Sequence, residues 1–197
     1  MYRTTILAAL IAAAPVVQAA QNHPAQQQVQ QNIDAVMGIV KNKSLNEEQR
    51  IRRVEQYADR FLDYERLSAT AVGLPWRQFS AVQKQEFIRA FKDMIIAMYA
   101  RSAMMNAERA EVKMLPKITT HGNKTDVYSE IVTPSGKKYE VGYQLYQSGN
   151  VYKLYNIQVD GVSIVTVYRN QFGELIAQKG IDGMIGAVKN KSLKKAG

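Results

Sequence analysis

Cysteine is absent from the 197-residue chain, and histidine occurs twice, at His23 and His121. No disulfide can brace the fold, and no His/Cys metal site can be assembled from two histidines so far apart in sequence. The acidic residues are dispersed, so a carboxylate-only metal site is not expected either. Gly-rich phosphate loops, a P-loop and the G-x-S-x-G elbow are also missing. Asp63, Asp126 and Asp160 are the acids an acid/base enzyme would draw on. Asp63 reads as a helix-edge residue, Asp126 as a strand start and Asp160 as a turn residue beside Gly161. The expectation is therefore no catalytic residue, no metal, no cofactor and no enzyme activity.

A long apolar run is missing as well, except at the N-terminus. Arg3 supplies a basic start, Ile6 to Ala14 is a short apolar run, and Val17-Gln18-Ala19 carries the small residues of a cleavage site. That pattern predicts a secretory signal over residues 1–19, too short to span a bilayer, which takes about 20 apolar residues. No Cys follows it, which excludes a lipoprotein anchor. Export without disulfides fits the periplasm. Residues 20–28 read as a Gln-rich flexible leader, 29–191 as one domain and 192–197 as a basic tail.

The formal charge is +9, one less once Arg3 leaves. An exported basic protein has little nucleic acid to meet. The charge serves solubility, acidic partners or transient, peripheral contact with anionic membranes.

Ser44–Glu47 ("SLNE") and Ser80–Gln83 ("SAVQ") have the capping-box spacing and predict helix starts. After the second, Phe87, Phe91, Ile95 and Met98 recur at helical spacing to about Ala103. Beyond Asn106 the period becomes 2, and four strands are expected at 111–119, 125–133, 138–147 and 151–160. Short Gly-containing turns between them force an antiparallel meander. Tyr143 and Leu145 share one face of the third strand; Tyr155, Ile157 and Val159 share one face of the fourth. Gly161-Val162-Ser163 is read as the start of a helix. The expectation is an α+β fold, a four-stranded antiparallel meander curved around a layer of helices, with room for a hollow between them.

Three blocks in order then carry a family resemblance. Phe61–Ala100 holds Asp63, Val72-Gly73, Trp76, Glu86-Phe87, Phe91 and Tyr99-Ala100. The second block is Asp160-Gly161-Val162-Ser163 with Tyr168-Arg169 and Gln171-Phe172. The third is "QKGIDGMI" at Gln178–Ile185. Over about residues 29–191 this resembles the MlaC-like family, the periplasmic phospholipid carriers of the Mla pathway, also called the toluene-tolerance family. Two segments depart from the family pattern: Tyr152 and Tyr155-Asn156 stand where Trp-x-x-Tyr-Asp is frequent, and Asp160 where Glu is frequent.

The resemblance implies an NTF2-like body whose apolar cavity takes phospholipid acyl chains. It also implies monomeric traffic between an outer-membrane lipoprotein–porin complex and an inner-membrane ABC transporter complex bearing MCE domains, maintaining outer-membrane lipid asymmetry. A small-molecule enzyme or a protein-binding module on the same fold is the alternative. The walls expected to hold lipid are Phe87, Phe91, Ile95 and Met98 from the long helix, and Tyr143, Leu145, Tyr155, Ile157 and Val159 from the sheet. Val162, Ile164, Val165, Tyr168 and Phe172 complete the set, with Arg169 as candidate head-group contact. The only ligand expected is the phospholipid itself.

Overall fold

The computed structural model describes residues 23–107, 109–190 and 193, with side chains 98–107 outside that description. The expected signal and most of the basic tail lie outside the described residues. Among the described residues five α-helices and five strands follow in chain order: α1 (Pro24–Val40), α2 (Glu47–Ala58), α3 (Tyr64–Val72), α4 (Ala81–Ala107), β1 (Glu111–His121), β2 (Lys124–Val132), β3 (Lys138–Ser148), β4 (Val151–Val159), β5 (Val162–Ser163) and α5 (Arg169–Lys189).

Local chemistry explains most of the boundaries. Pro24 sits in the first turn of α1, where its missing N–H is harmless, and His23 accepts a hydrogen bond from the Ala25 amide. The chain is thus helical from residue 24, with Ala25 and Gln26 buried. That corrects the flexible leader expected to residue 28. The box at the start of α2 is Asn46 with Gln49, each side chain taking the other's backbone N–H, rather than Ser44 with Glu47. Ser44 instead bonds Asn42. At α4 the expected pair is present: the Gln83 amide donates to Ser80 Oγ and the Ser80 amide to Gln83 Oε1. Gly180, at φ 70°, breaks the regular path of α5.

The strands form one antiparallel sheet in the order β1-β2-β3-β4-β5. It has five strands rather than four, because the chain reverses after β4 as a hairpin instead of entering a helix. Asp160 and Gly161 both take positive φ, 49° and 80°, the backbone a two-residue type I′ turn requires and Asp-Gly tolerates best. The Asp160 carboxylate fixes the corner by accepting the Glu140 amide hydrogen. A 3-10 turn at Thr166–Tyr168 then leads into α5.

Two apolar clusters result. One is helical and solid, built from α3, α4, α5 and the 3-10 turns at Leu74–Gln78 and Thr166–Tyr168. At its centre Phe87, Phe91, Tyr168 and Phe172 pack ring against ring, with centroids 5.3–6.3 Å apart. The other lies between α1 and the inner face of the sheet, around Val29, Val127, Leu145 and Leu154. Residues 61–63 join the two. They run parallel to β4, with the Asp63 amide donating to Leu154 O and the Leu154 amide to Phe61 O. This covers the β4 edge below the short β5.

Candidate functional site: an apolar hollow under the first helix

The inner face of the sheet does not meet α1 in full contact. A cavity of about 370 Å³ separates them. Its helical wall is Val29, Asn32, Ile33, Val36 and Met37; Phe61 and Leu62 form one side; Val112, Ile131, Val141, Tyr143, Leu145, Leu154 and Ile157 form the sheet side. Among these, only Asn32 and Tyr143 carry polar side chains.

Alternation places the sheet residues. Val141, Tyr143 and Leu145 fall on one face of β3 with period 2. On β4 the period is interrupted. Gln144 pairs with Asn156 and Leu145 with Leu154, so Tyr155 is an extra residue in a bulge. Leu154 and Ile157 therefore both face the hollow, while Tyr155 is carried to the other side of the sheet. There it lies with Arg66, Ala69, Thr70 and Lys124 around a separate cleft. Burial lifts its phenol above the usual range; nearby Asp126 adds to this and Arg66 opposes it.

The structure divides the residues that the sequence placed on the lipid-binding walls. Tyr143, Leu145 and Ile157 line the hollow. Phe87, Phe91, Val165, Tyr168 and Phe172 do not. They fill the helical cluster at 0–1 % exposure, and Ile95 and Ile164 pack against it. Their stripe is real, but its partner is another helix and not an empty space. Val159 is half-buried opposite Val141, outside the lining. Val162 is 57 % exposed on the β4–β5 hairpin. The Met98 side chain lies outside the described residues.

Arg169 does not reach the hollow either. Its guanidinium donates to the carbonyl of Thr70 and lies over Gly73, so it caps the C-terminal end of α3. Asp63, at the other end of α3, is the N-cap. Its Oδ1 accepts the Arg66 amide hydrogen, and its Oδ2 accepts the Tyr146 hydroxyl at 2.6 Å. That hydrogen bond holds the Tyr146 phenol above its usual pKa. Arg66 in turn lies 3.7 Å from the centroid of the Tyr146 ring. The three acids a catalytic reading would use are thus occupied in structure. Asp63 caps a helix, Asp160 holds a turn, and Asp126 accepts from Gln144. No cluster of three metal-ligating side chains occurs among the described residues.

The helix α1 closes the hollow and is tied down mainly at its start. Gln28 makes a two-way contact with β4: its Nε2 donates to Tyr152 O at 2.6 Å, and the Tyr152 amide donates to its Oε1 at 2.9 Å. Gln26 Nε2 donates to Leu115 O on β1 at 2.7 Å. Further along, Tyr57 of α2 donates to Asn32 Oδ1 at 3.0 Å. The sequence reading expects a helix from Val29 to about Lys41 but leaves it off the lipid-binding walls. Its signal was present in Val29, Ile33, Val36, Met37 and Val40, apolar positions recurring at helical spacing.

The profile of the family described as MlaC protein matches residues 30–190, nearly the whole described fold. The chain belongs to the MlaC family. A curated relative, toluene tolerance protein Ttg2D of Pseudomonas putida, is 26 % identical over 118 residues, 57 % of this chain and 54 % of that protein. The alignment thus spans about half the length of that relative. Among solved structures, a phospholipid-binding protein from Ralstonia solanacearum, determined in complex with a phospholipid, superposes with a TM-score of 0.74. It is 25 % identical, and the match covers 85 % of this chain and 96 % of that one. No described helix of this MlaC-family chain is long and apolar enough to cross a membrane.

Proposed function

We propose that this protein is a periplasmic phospholipid carrier. Its acyl cargo occupies the hollow between α1 and the sheet, and the head group stays at the rim. The observation that supports this most is the hollow itself: walls of hydrocarbon on both sides, left unfilled, in a chain of the MlaC family. The neighbour bound to phospholipid adds the ligand class.

The physical need is plain. Each methylene exposed to water costs about 0.8 kcal/mol, so two long acyl chains cost roughly 20 kcal/mol or more. Enclosure in apolar walls offsets that cost without directional bonds. A diacyl cargo needs a cavity near or above the top of the ~300–1,000 Å³ range for ligand sites. The observed 370 Å³ is near the bottom of that range. Loading a diacyl lipid therefore widens the hollow, and α1 is the wall that moves, released when the Gln26 and Gln28 contacts break.

In this reading the N-terminal signal directs export, and the protein acts without cofactor or catalytic step. It exchanges lipid as a monomer between an outer-membrane lipoprotein–porin complex and an inner-membrane MCE-domain ABC transporter complex, touching membranes only transiently. That exchange maintains outer-membrane lipid asymmetry. The test is organic extraction of protein purified from the periplasm, followed by mass spectrometry. Diacyl phospholipid at a fixed ratio to protein is expected. Its absence under several expression conditions, together with no transfer between labelled liposomes, would overturn the proposal.

A further inference from the structure

Two polar side chains interrupt the hydrocarbon lining, and each carries a hydrogen it can donate. The Tyr143 hydroxyl lies 3.0 Å from Ser129 Oγ, and Ser129 is fully buried. Two hydroxyls carry two protons, and their mutual hydrogen bond uses one. With Ser129 as donor, the phenolic proton is left for the hollow that the tyrosine lines. Burial holds this phenol above its usual pKa, against a smaller opposing effect of the Ser129 hydrogen bond, so it stays neutral and able to donate. Asn32 stands half-buried on the helical wall. Its Oδ1 is taken by the Tyr57 hydroxyl, which leaves the donating end of its amide for other partners.

A polar hydrogen turned toward hydrocarbon walls without an acceptor is costly. The complementary ligand has hydrocarbon chains and a strong acceptor oxygen at their head. We infer that Tyr143 and Asn32 hold acyl-ester carbonyl oxygens of the bound lipid, and that the hollow thereby favours ester-linked chains over ether-linked chains of equal length. This rests on the phospholipid reading above and extends it to the linkage chemistry. An ether oxygen leaves both donors poorly satisfied, whereas an ester carbonyl matches them in number and kind.

The experiment uses full-length mature protein stripped of lipid. It competes a diacyl phosphatidylethanolamine against the dialkyl-ether analogue with the same chains, with bound lipid read by mass spectrometry. The wild type is expected to prefer the ester about two- to tenfold for each hydrogen bond gained. Tyr143→Phe and Asn32→Leu each lower that ratio, and the double variant brings it to one by weakening ester binding alone. Equal binding of both lipids by the wild type, or an unchanged ratio in Tyr143→Phe, overturns the inference. The Tyr143→Phe change removes a single oxygen, so the melting curve of that variant shows whether the fold is kept, and it decides the matter should the double variant not fold. If the wild type takes neither lipid, the phospholipid reading falls as well; if it takes both equally, only the linkage preference falls.

Discussion

Removing the ring of Phe91 and altering Ile157 test whether the two apolar clusters have separate jobs. Phe91 is 1 % exposed, with Phe87, Phe172 and Tyr168 centroids at 5.3, 5.7 and 6.3 Å. Truncating such a ring to alanine costs about 3–5 kcal/mol. In a domain of this size each kcal/mol lowers Tm by about 2–4 °C, so Phe91→Ala should melt roughly 6–20 °C early. Ile157 borders the hollow, so part of its surface already lacks a packing partner. We predict that Ile157→Ala costs about 1–2 kcal/mol, below the usual range for a fully packed isoleucine. Ile157→Trp, which places an indole in the 370 Å³ space, should cut the lipid load sharply. The assays are calorimetry on lipid-free protein and lipid-to-protein ratio by mass spectrometry. The reasoning fails if Phe91→Ala melts within about 2 °C of wild type. It fails equally if folded Phe91→Ala is empty while Ile157→Trp is fully loaded.

Gln28→Ala removes both hydrogen bonds of the α1–β4 contact. At about 0.5–1.5 kcal/mol each, their loss raises the open fraction roughly 5- to 150-fold, and lipid exchange between liposomes should quicken, with unchanged kinetics counting against α1 as the moving wall. Lys92 meets Asp59 at 2.7 Å and Glu55 at 3.0 Å. Burial lowers the pKa of its ammonium, but the two carboxylates outweigh that and leave it above the ordinary 10.5. The stability this pair contributes is full below that ordinary value and is lost as pH rises through the raised one. Lys92→Met should therefore show a flatter fall of Tm on alkalinisation than wild type; parallel curves would contradict the pairing. Gly161→Ala forces a side chain onto φ 80° and should cost about 1–2 kcal/mol by chemical denaturation, whereas a neutral result would mean the corner relaxes.

Much of the architecture is legible in the residues, and the limits are physical. The Ser80–Gln83 box and all four long strands lie close to where local chemistry puts them. Local patterns say which face of an element is apolar but not what it meets. Phe87 and Phe91 show the same spacing whether they face another helix or a hollow, so only the tertiary contacts reveal a solid cluster. Tyr155 exposes a second limit. One bulged residue reverses the phase of β4, and an inward position by strict alternation becomes an outward one. The α1 wall was missed for another reason. Polar Gln residues surround its apolar stripe, and Gln26 and Gln28 look like solvent-facing leader until their partners on β1 and β4 are seen.

For a carrier of the kind proposed, the separation of a filled helical cluster from an unfilled one beneath α1 bears on life between deliveries. A container whose walls were its only brace would crumple once emptied, exposing sticky surface to every neighbour. Here the aromatic knot of Phe87, Phe91, Tyr168 and Phe172 needs no cargo to stay intact, so it anchors one side of the chain while the other admits or surrenders its load.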